Sequence, residues 1–176
     1  ERQAASLGET LARTPGVSST QFGPVASRPI IRGQDGARVI TLENGVSTQD
    51  VATLSADHLT TTAPLIAQQI ELLRGPATLL YGSGAIGGVV NVVNNRLPNK
   101  ITPGFSGAIQ GKLDSASSGG SGALDITHAG TDGFYAHIDA STQQASDYTV
   151  PSKAGVGNTV GNSGYDLRDS AIAGGY

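Results

Sequence analysis

The sequence contains no cysteine, methionine or tryptophan, and charged residues make up only 14% of it. Without cysteine, a disulfide framework, a thiolate metal site and a cysteine nucleophile are all excluded. The net charge of −3 offers nothing for electrostatic binding to nucleic acid, so we expect no nucleic-acid partner. Glycine, in contrast, is frequent: its 25 residues are about twice the average usage.

Long hydrophobic runs are also missing. No apolar segment approaches the roughly 20 residues of a membrane-spanning helix. A soluble domain and a β-barrel both remain open, because barrel strands are short and apolar on one side only. The sequence begins with Glu1 and no signal segment precedes it, so we expect the chain to be a piece of a longer protein.

Residues 1–102 have the pattern of a compact α+β unit. A short amphipathic helix is predicted around Leu7 and Leu11, with Pro15 and Gly16 ending it. The elements predicted after it are β-structure with turns at residues 34–36 and 43–45, a helix through "LIAQQ", a strand "IELLRG", a one-turn helix "PATLLY" and a strand "GGVVNVVNN".

The glycine cluster at residues 82–87 spells G-x-G-x-x-G, the fingerprint of a phosphate-binding loop. Such a loop must follow a strand and open a helix, because the helix N-terminus binds the pyrophosphate. Here the predicted order is reversed, and the first acidic residue after Gly87 is Asp114, too far along to bind the ribose. We therefore reject nucleotide binding and expect the glycines to permit a tight reversal of the chain.

Residues 103–176 follow a different pattern, in which apolar and polar residues alternate. The alternating segments are "FSGAIQGKLDS", "GALDITHAG", "FYAHIDASTQ" and, more weakly, "DLRDSAIAGGY". This period predicts antiparallel strands of about ten residues, typical of outer-membrane barrels. A sandwich sheet with one wet face fits the same alternation.

The connections between these strands are predicted to alternate in length. A moderate connection lies around "SASSGGSG", a tight turn at residues 131–133 and a long loop over residues 146–166. Outer-membrane barrels have short turns at one end and long loops at the other. Phe105 and Phe134 would then lie at the short-turn end, where an aromatic girdle is expected.

Two segments closely resemble the plug-domain signature of TonB-dependent outer-membrane receptors. They are "IRG" at residues 31–33 and "IELLRGPATLLYGSGAIGGVVNVVNNR" at residues 70–96. "TPGV" and "ITLENGV", upstream, fit the same pattern. The resemblance implies an α+β plug domain over residues 1–102, followed over residues 103–176 by antiparallel β-strands of an incomplete transmembrane β-barrel. Large transporters of the outer membrane are barrels with a plugged lumen.

The resemblance also implies a function, the active uptake of a scarce nutrient through the outer membrane of a Gram-negative bacterium. Cargo would bind from outside, and the TonB energy-transducing complex would pull on a segment that we expect upstream of Glu1. The implied partners are that complex, outer-membrane lipid and a transported metal or metal chelate, with the receptor monomeric. No catalysis and no catalytic cofactor are expected, since the residues offer no set of nucleophile, base and orienting group.

Arg32 and Arg74 match two arginines that in this family anchor the plug to glutamates on the barrel wall. Glu71 is a further candidate for this polar interface. From the residues alone, all three could be ordinary solvated charges. A buried guanidinium needs carboxylate partners, which the resemblance places on barrel strands outside this chain.

Asp57 and His58 offer a carboxylate and an imidazole, both acceptable ligands for Zn²⁺. Adjacent residues in a strand point to opposite sides, so the pair could share a metal only in a turn. Two ligands are too few for a tight site, and a loop histidine beside a capping aspartate is the alternative. The surrounding "SADH" and "PLIAQQIELLRGP" resemble the zinc-uptake branch of the family, which implies zinc as the cargo.

His128 and His137 lie in the alternating segments. The period places His137 on a polar face with Asp139, and His128 in the apolar row with Leu124 and Ile126. Structural roles are favoured for both histidines.

Two other functions are kept as alternatives. A siderophore or haem receptor of the same family fits the plug signature equally well. A soluble glycine-rich adhesin or carbohydrate-binding β-domain, from a different class, fits the composition and the alternation.

Overall fold

The computed structural model describes residues 3–23, 25–82, 84–98, 100–115, 118–151 and 158–176. Ser83 of the glycine cluster and the middle of the predicted long loop, residues 152–157, lie outside these ranges. The chain divides into two compact units, Glu1–Leu97 and Pro98–Tyr176. No helix in the described ranges is long and apolar enough to cross a membrane.

The first unit is built on a mixed four-stranded sheet and a two-stranded ribbon. Its elements are helix α1 (Leu7–Leu11), strands β1 (Val17–Ser19), β2 (Pro29–Ile31), β3 (Val39–Glu43), β4 (Val46–Ser47), β5 (Gln69–Leu73) and β6 (Gly88–Val93), and 3-10 helices at Gly36–Arg38, Val51–Thr53, Pro64–Ile66 and Pro76–Tyr81. The sheet order is β4-β3-β6-β5, with β6 parallel to β3 and antiparallel to β5. The ribbon pairs β1 with β2.

Strand β6 is the centre of the core. Val89, Val90 and Val92 are fully buried, as expected for a β-branched strand with neighbours on both edges. The predicted helix α1 is confirmed, and both of its leucines are buried. The main core cluster comprises Leu7, Leu11, Val17, Ile31, Val39, Val90 and Val92.

The glycine cluster connects a 3-10 helix to strand β6, as predicted. Gly82 ends the helix with a φ of 104°, a conformation that favours glycine. A Cβ on Gly87 would lie 2.6 Å from the Cβ of Gln34, so this glycine permits close packing of two chain segments. The element that follows is a strand and not a helix, and this order does not fit a dinucleotide loop.

The predicted helix through "LIAQQ" is shorter in the structure. It consists of one 3-10 turn at Pro64–Ile66, and strand β5 already begins at Gln69. The amide of Gln68 donates to the carbonyl of Val93 at 2.8 Å, which draws this residue towards the sheet instead of into a helix. The sheet hydrogen bond therefore overrides the local helical tendency.

The second unit is an antiparallel sheet of four strands in sequence order, each of eleven residues. The strands are β7 (Gly104–Asp114), β8 (Gly119–Ala129), β9 (Tyr135–Ala145) and β10 (Tyr165–Gly175). All four predicted strands, including the weak candidate β10, are confirmed.

The two faces of strand β9 have the reverse of the usual polarity. On β9 the polar row is buried and the apolar row, Ala136, Ile138 and Ala140, is exposed. Ile109, Leu124, Ile126 and Ile172 lie on the same exposed face of the other strands, and on β10 the charged pair Asp166–Arg168 lies there as well. A water-soluble sandwich sheet would bury this row, so the pattern favours the barrel interpretation.

The predicted alternation of connection lengths is only partly right. Strand β8 begins at Gly119, so the glycine–serine run belongs to the strand and the first connection shrinks to residues 115–118. It is as short as the turn at residues 130–134, where the amide of Gly130 donates to the carbonyl of Phe134 at 2.8 Å. The glycine and serine residues of this run pair with the neighbouring strands although they have no large side chains. From composition alone, such a run is predicted to be a loop.

The connection between β9 and β10 is long, as predicted. Asp147, near its start, is hydrogen-bonded to residues near its end. The carboxylate accepts from the backbone amides of Ser163 and Gly164 at 2.8 and 2.7 Å. These hydrogen bonds lower the pKa of Asp147, and the bond from Gly164 has the largest effect.

Candidate functional site

The Asp57–His58 pair lies in a turn after the 3-10 helix Val51–Thr53. The amide of Ser55 donates to the carbonyl of Val51 at 3.1 Å, and the amide of His58 donates to the carbonyl of Ser55 at 3.3 Å. These bonds reverse the chain, so that two adjacent side chains reach the same side. The two residues could share a metal only in a turn, and the structure places them in one.

The two side chains are in direct contact at the surface. Asp57 Oδ1 lies 3.1 Å from His58 Nδ1, and the two side chains are 71% and 54% exposed. Asp57 Oδ1 also accepts a hydrogen bond from Ser55 Oγ. The Ser55 hydroxyl is the largest cause that lowers the pKa of Asp57, so the carboxylate keeps its charge at more acidic pH than usual.

This arrangement suits two adjacent ligands of one cation. In a tetrahedral zinc site with bonds of about 2.0–2.1 Å, neighbouring ligand atoms are separated by about 3.3 Å. The Oδ1–Nδ1 distance of 3.1 Å is close to that separation. A metal bonded to both atoms would need the lone pair of His58 Nδ1, so any proton on that nitrogen would have to leave. No group of three or more His, Cys, Asp or Glu residues with metal-site geometry occurs among the described residues, so the pair supplies only part of a coordination sphere.

Arg32 and Arg74 both approach the Pro15–Gly16 turn. The backbone amide of Arg32, which has a φ of 50°, donates to the carbonyl of Gly16 at 2.9 Å. Arg74 Nη1 donates to the carbonyl of Pro15 at 2.6 Å. Both residues are exposed, and neither forms an ion pair with a residue in the described ranges. Two sequence-distant arginines thus occupy one region of the first unit.

Glu71 has a different environment. It lies opposite Asn91 in the β5–β6 pair, and Asn91 Nδ2 donates to Glu71 Oε2 at 2.9 Å. Gln69 Nε2 donates to its other oxygen at 3.3 Å. Within the first unit, therefore, amide groups and not the two arginines contact this carboxylate.

The two histidines of the second unit are held by local contacts. His137 Nδ1 lies 2.7 Å from Thr127 Oγ1 and His137 Nε2 lies 3.1 Å from Asp139 Oδ2. The side chains of His137 and Asp139 are each only 1% exposed. His128 lies on the other face and packs against Phe105, with ring centroids 4.3 Å apart. The predicted faces of both histidines agree with this placement.

Sequence reasoning missed two polar residues at the base of the Asp57–His58 turn. Asp50 is the N-cap of the 3-10 helix Val51–Thr53 and is buried. Arg28 donates to the carbonyl of Ala52 and pairs with Asp35 at 2.9 Å. An aspartate directly before a short helix is a recognisable capping signal, whereas nothing local in the sequence marks Arg28.

Comparison with known proteins identifies the family to which this fold belongs. Residues 1–89 match the family described as TonB-dependent Receptor Plug Domain. The chain belongs to this family. Its members are receptors and transporters and not enzymes.

Solved structures of this kind share the fold of both units. The copper transporter OprC matches the whole chain (100%) at 23% identity with a TM-score of 0.77. The FrpB iron transporter from Neisseria meningitidis matches 98% of the chain at 16% identity and a TM-score of 0.72. The siderophore receptor PirA from Acinetobacter baumannii matches 82% at 21% identity and a TM-score of 0.65.

The chain spans only about a quarter of each of these proteins, between 23% and 26% of their length. Their fold confirms the predicted class, a plug domain followed by antiparallel strands like the first strands of a receptor barrel. At these identities the likeness concerns the fold alone, and it does not single out the zinc-uptake branch.

The contact between Ser55 and Asp57 predicts a measurable pKa change. Ser55→Ala removes the strongest of the hydrogen bonds that stabilise the charged carboxylate, so the pKa of Asp57 should rise towards its usual value. A carboxyl carbon NMR titration with selectively labelled aspartate measures the shift. Ser47→Ala, an exposed serine on β4, is the matched control and should leave Asp57 unchanged. An Asp57 titration that is identical in wild type and Ser55→Ala would contradict the geometry of this turn.

Proposed function

We propose that this chain is part of an outer-membrane receptor that imports zinc, with Asp57 and His58 as cargo ligands on the plug. The observation that carries the proposal is the turn that holds a carboxylate and an imidazole 3.1 Å apart on an exposed surface. A site that must capture a scarce ion and later release it needs accessible ligands. It also needs a coordination sphere that no single structural element completes.

Membership of the plug-domain family supports the transport class. The similar solved structures are described as a copper transporter, an iron transporter and a siderophore receptor, so uptake of metal or metal chelate is common to them. This likeness supports the outer membrane of a Gram-negative bacterium as the location of the receptor. TonB is the partner that supplies the energy for plug rearrangement.

The chemistry of the pair favours a bare cation over a chelated one. An imidazole nitrogen with a carboxylate oxygen is a common zinc ligand pair. A siderophore or haem, the alternative cargo within the family, already fills most coordination positions of its metal, so it would need shape-matched surface instead of a ligand pair. The remaining zinc ligands would come from residues of the barrel.

Replacing both ligands tests the cargo. Asp57→Ala combined with His58→Ala in the full-length receptor should abolish receptor-dependent zinc uptake by zinc-starved cells, because both metal bonds on the plug are lost. Uptake of the ⁶⁵Zn isotope measures this. Leu54→Ala, at an exposed position of the same turn, is the control and should transport normally.

Competition distinguishes the alternative cargo. Excess unlabelled zinc should suppress the uptake, and ferric siderophores or haem should not. Unchanged zinc uptake in the double variant, or suppression by ferric chelates alone, would refute zinc as the cargo.

Arg32 and Arg74 are proposed to anchor the plug to carboxylates of the barrel wall. Their common position at the Pro15–Gly16 turn and their exposure within the first unit support this role, since the charges are free to meet partners from elsewhere. Glu71 is proposed as a polar contact of the same interface, held in place by Asn91.

Removing the two arginines should loosen the plug. Breaking a buried ion pair from one side costs about 3–5 kcal/mol, because the remaining charge is left without a partner. In Arg32→Ala with Arg74→Ala, cells should become more sensitive to large antibiotics that the outer membrane excludes. Arg13→Ala with Arg38→Ala removes the same charge from two exposed sites of the first unit and is the control. Equal sensitivity of the two double variants would argue against anchoring.

The exposed apolar face of the second unit is proposed to contact lipid. Ile138→Arg places a charge in the middle of this face, which costs about 2–4 kcal/mol at the bilayer midplane and should reduce barrel assembly in the outer membrane. Gln144→Arg, on the same strand and face but next to the long loop, should cost only about 0–1 kcal/mol. Heat-modifiable migration in gels measures the folded barrel. Equal assembly of both variants would instead favour the soluble β-domain.

A further inference from the structure

A single buried side chain, that of Asp50, is hydrogen-bonded to both ends of the loop that carries Asp57 and His58. Asp50 Oδ1 accepts from the amide of Ala52 at 2.9 Å, on the incoming side. Asp50 Oδ2 accepts from the amide of Thr61 at 2.7 Å and from its hydroxyl at 3.2 Å, on the outgoing side. One carboxylate therefore closes the loop of residues 51–60.

We propose that Asp50 is a positioning residue for the cargo site, which fixes the loop so that Asp57 and His58 meet a metal in one geometry. This inference rests on the proposed function, because it assigns the residue that preorganises the proposed zinc ligands. Asp50 would not touch the metal. It would act through the backbone on both sides of the ligand-bearing turn.

The hydrogen bonds at this position require an acceptor on both oxygen positions of the side chain. All three groups that face the two oxygens are donors: two backbone amides and a hydroxyl. Only a carboxylate presents acceptors in both directions. Asparagine has nearly the same shape, but it would turn an NH₂ group towards one of these donors and leave it without an acceptor.

The base of the loop is held by hydrogen bonds, one of which comes from Arg28 outside the loop. The carbonyl of Asp50 accepts from the amide of Thr53 at 3.1 Å, and the guanidinium of Arg28 holds the carbonyl of Ala52. At the tip, Leu54 is 85% exposed, so apolar packing contributes little there. The position of the tip is therefore determined from its base, where Asp50 is only 5% exposed.

Loss of the closing carboxylate should weaken metal binding without removing a ligand. Changes to groups that orient metal ligands typically reduce metal affinity by roughly 10–100-fold, because the ligands must be ordered again on binding. Binding and loop order are then linked: an ordered loop favours the metal, and the metal favours an ordered loop.

The test uses the purified full-length receptor and zinc itself. Asp50→Asn should speed hydrogen–deuterium exchange of the amides in residues 51–61 and weaken zinc affinity roughly 10–100-fold in a chelator competition. Saturating zinc should restore slow exchange in Asp50→Asn, which a merely structural role would not produce. Amides of β6 report whether the plug remains folded. Asp132→Asn, an exposed aspartate in the turn at residues 130–134, is the control and should change neither measurement.

Several outcomes would overturn the proposal. Unchanged loop exchange in Asp50→Asn, or faster exchange with zinc affinity unaltered, would each do so. If Asp50→Asn fails to assemble, Thr61→Ala removes one of the three donors and should give a milder form of the same pattern, and wild-type behaviour of that variant would refute the role. If the wild-type receptor binds no zinc, the proposed function fails, while loop exchange still decides whether Asp50 fixes the loop.

Discussion

Close backbone packing where the chain enters strand β6 is the constraint on which the first unit depends. A Cβ on Gly87 would lie 2.9 Å from the carbonyl oxygen of Arg38, and a Cβ on Gly88 would lie 2.7 Å from Ile31 Cδ1. Because glycine leaves this space free, β6 can insert between β3 and β5 and bury its valines on both faces. The same insertion brings the chain segments that carry Arg32 and Arg74 to one turn. The glycine pattern that matches a phosphate-binding loop in sequence is therefore required for the close packing of the chain at β6.

On strand β9 of the second unit, the burial of the two side-chain rows is the opposite of that in a water-soluble sheet. In water, a sheet gains stability by burying its apolar row. Here β9 buries its polar row, including His137 and Asp139, and exposes isoleucine and alanine. Buried polar groups are tolerated because they are hydrogen-bonded, as His137 is to Thr127 and Asp139. The first unit thus has a core of the soluble kind, whereas β9 has the exposed apolar row that is typical of an outer-membrane barrel strand.

The sequence predicted most of the fold, since periodicity reports which face of an element is buried. The period of two located all four strands of the second unit, and Pro76 and Gly82 bounded a short helix. Prediction was weaker where a distant partner decides the local structure. Gln68 is extended because of Val93, and residues 119–122 form a strand because of their partners on β7 and β9. At the candidate site, residue types indicated Asp57 and His58, but only the turn shows that the two side chains meet.

Asp50 and Asp57 show why residue type alone does not define a site. The buried carboxylate of Asp50 has backbone and hydroxyl donors on both oxygens, so it is committed to holding the chain. The exposed carboxylate of Asp57 contacts Ser55 and His58 through one oxygen and is largely open to water. A cation can bind where it replaces a proton and water, whereas at Asp50 it would have to displace backbone hydrogen bonds. The first aspartate therefore belongs to the scaffold, and the second lies in the exposed turn where we propose that cargo binds.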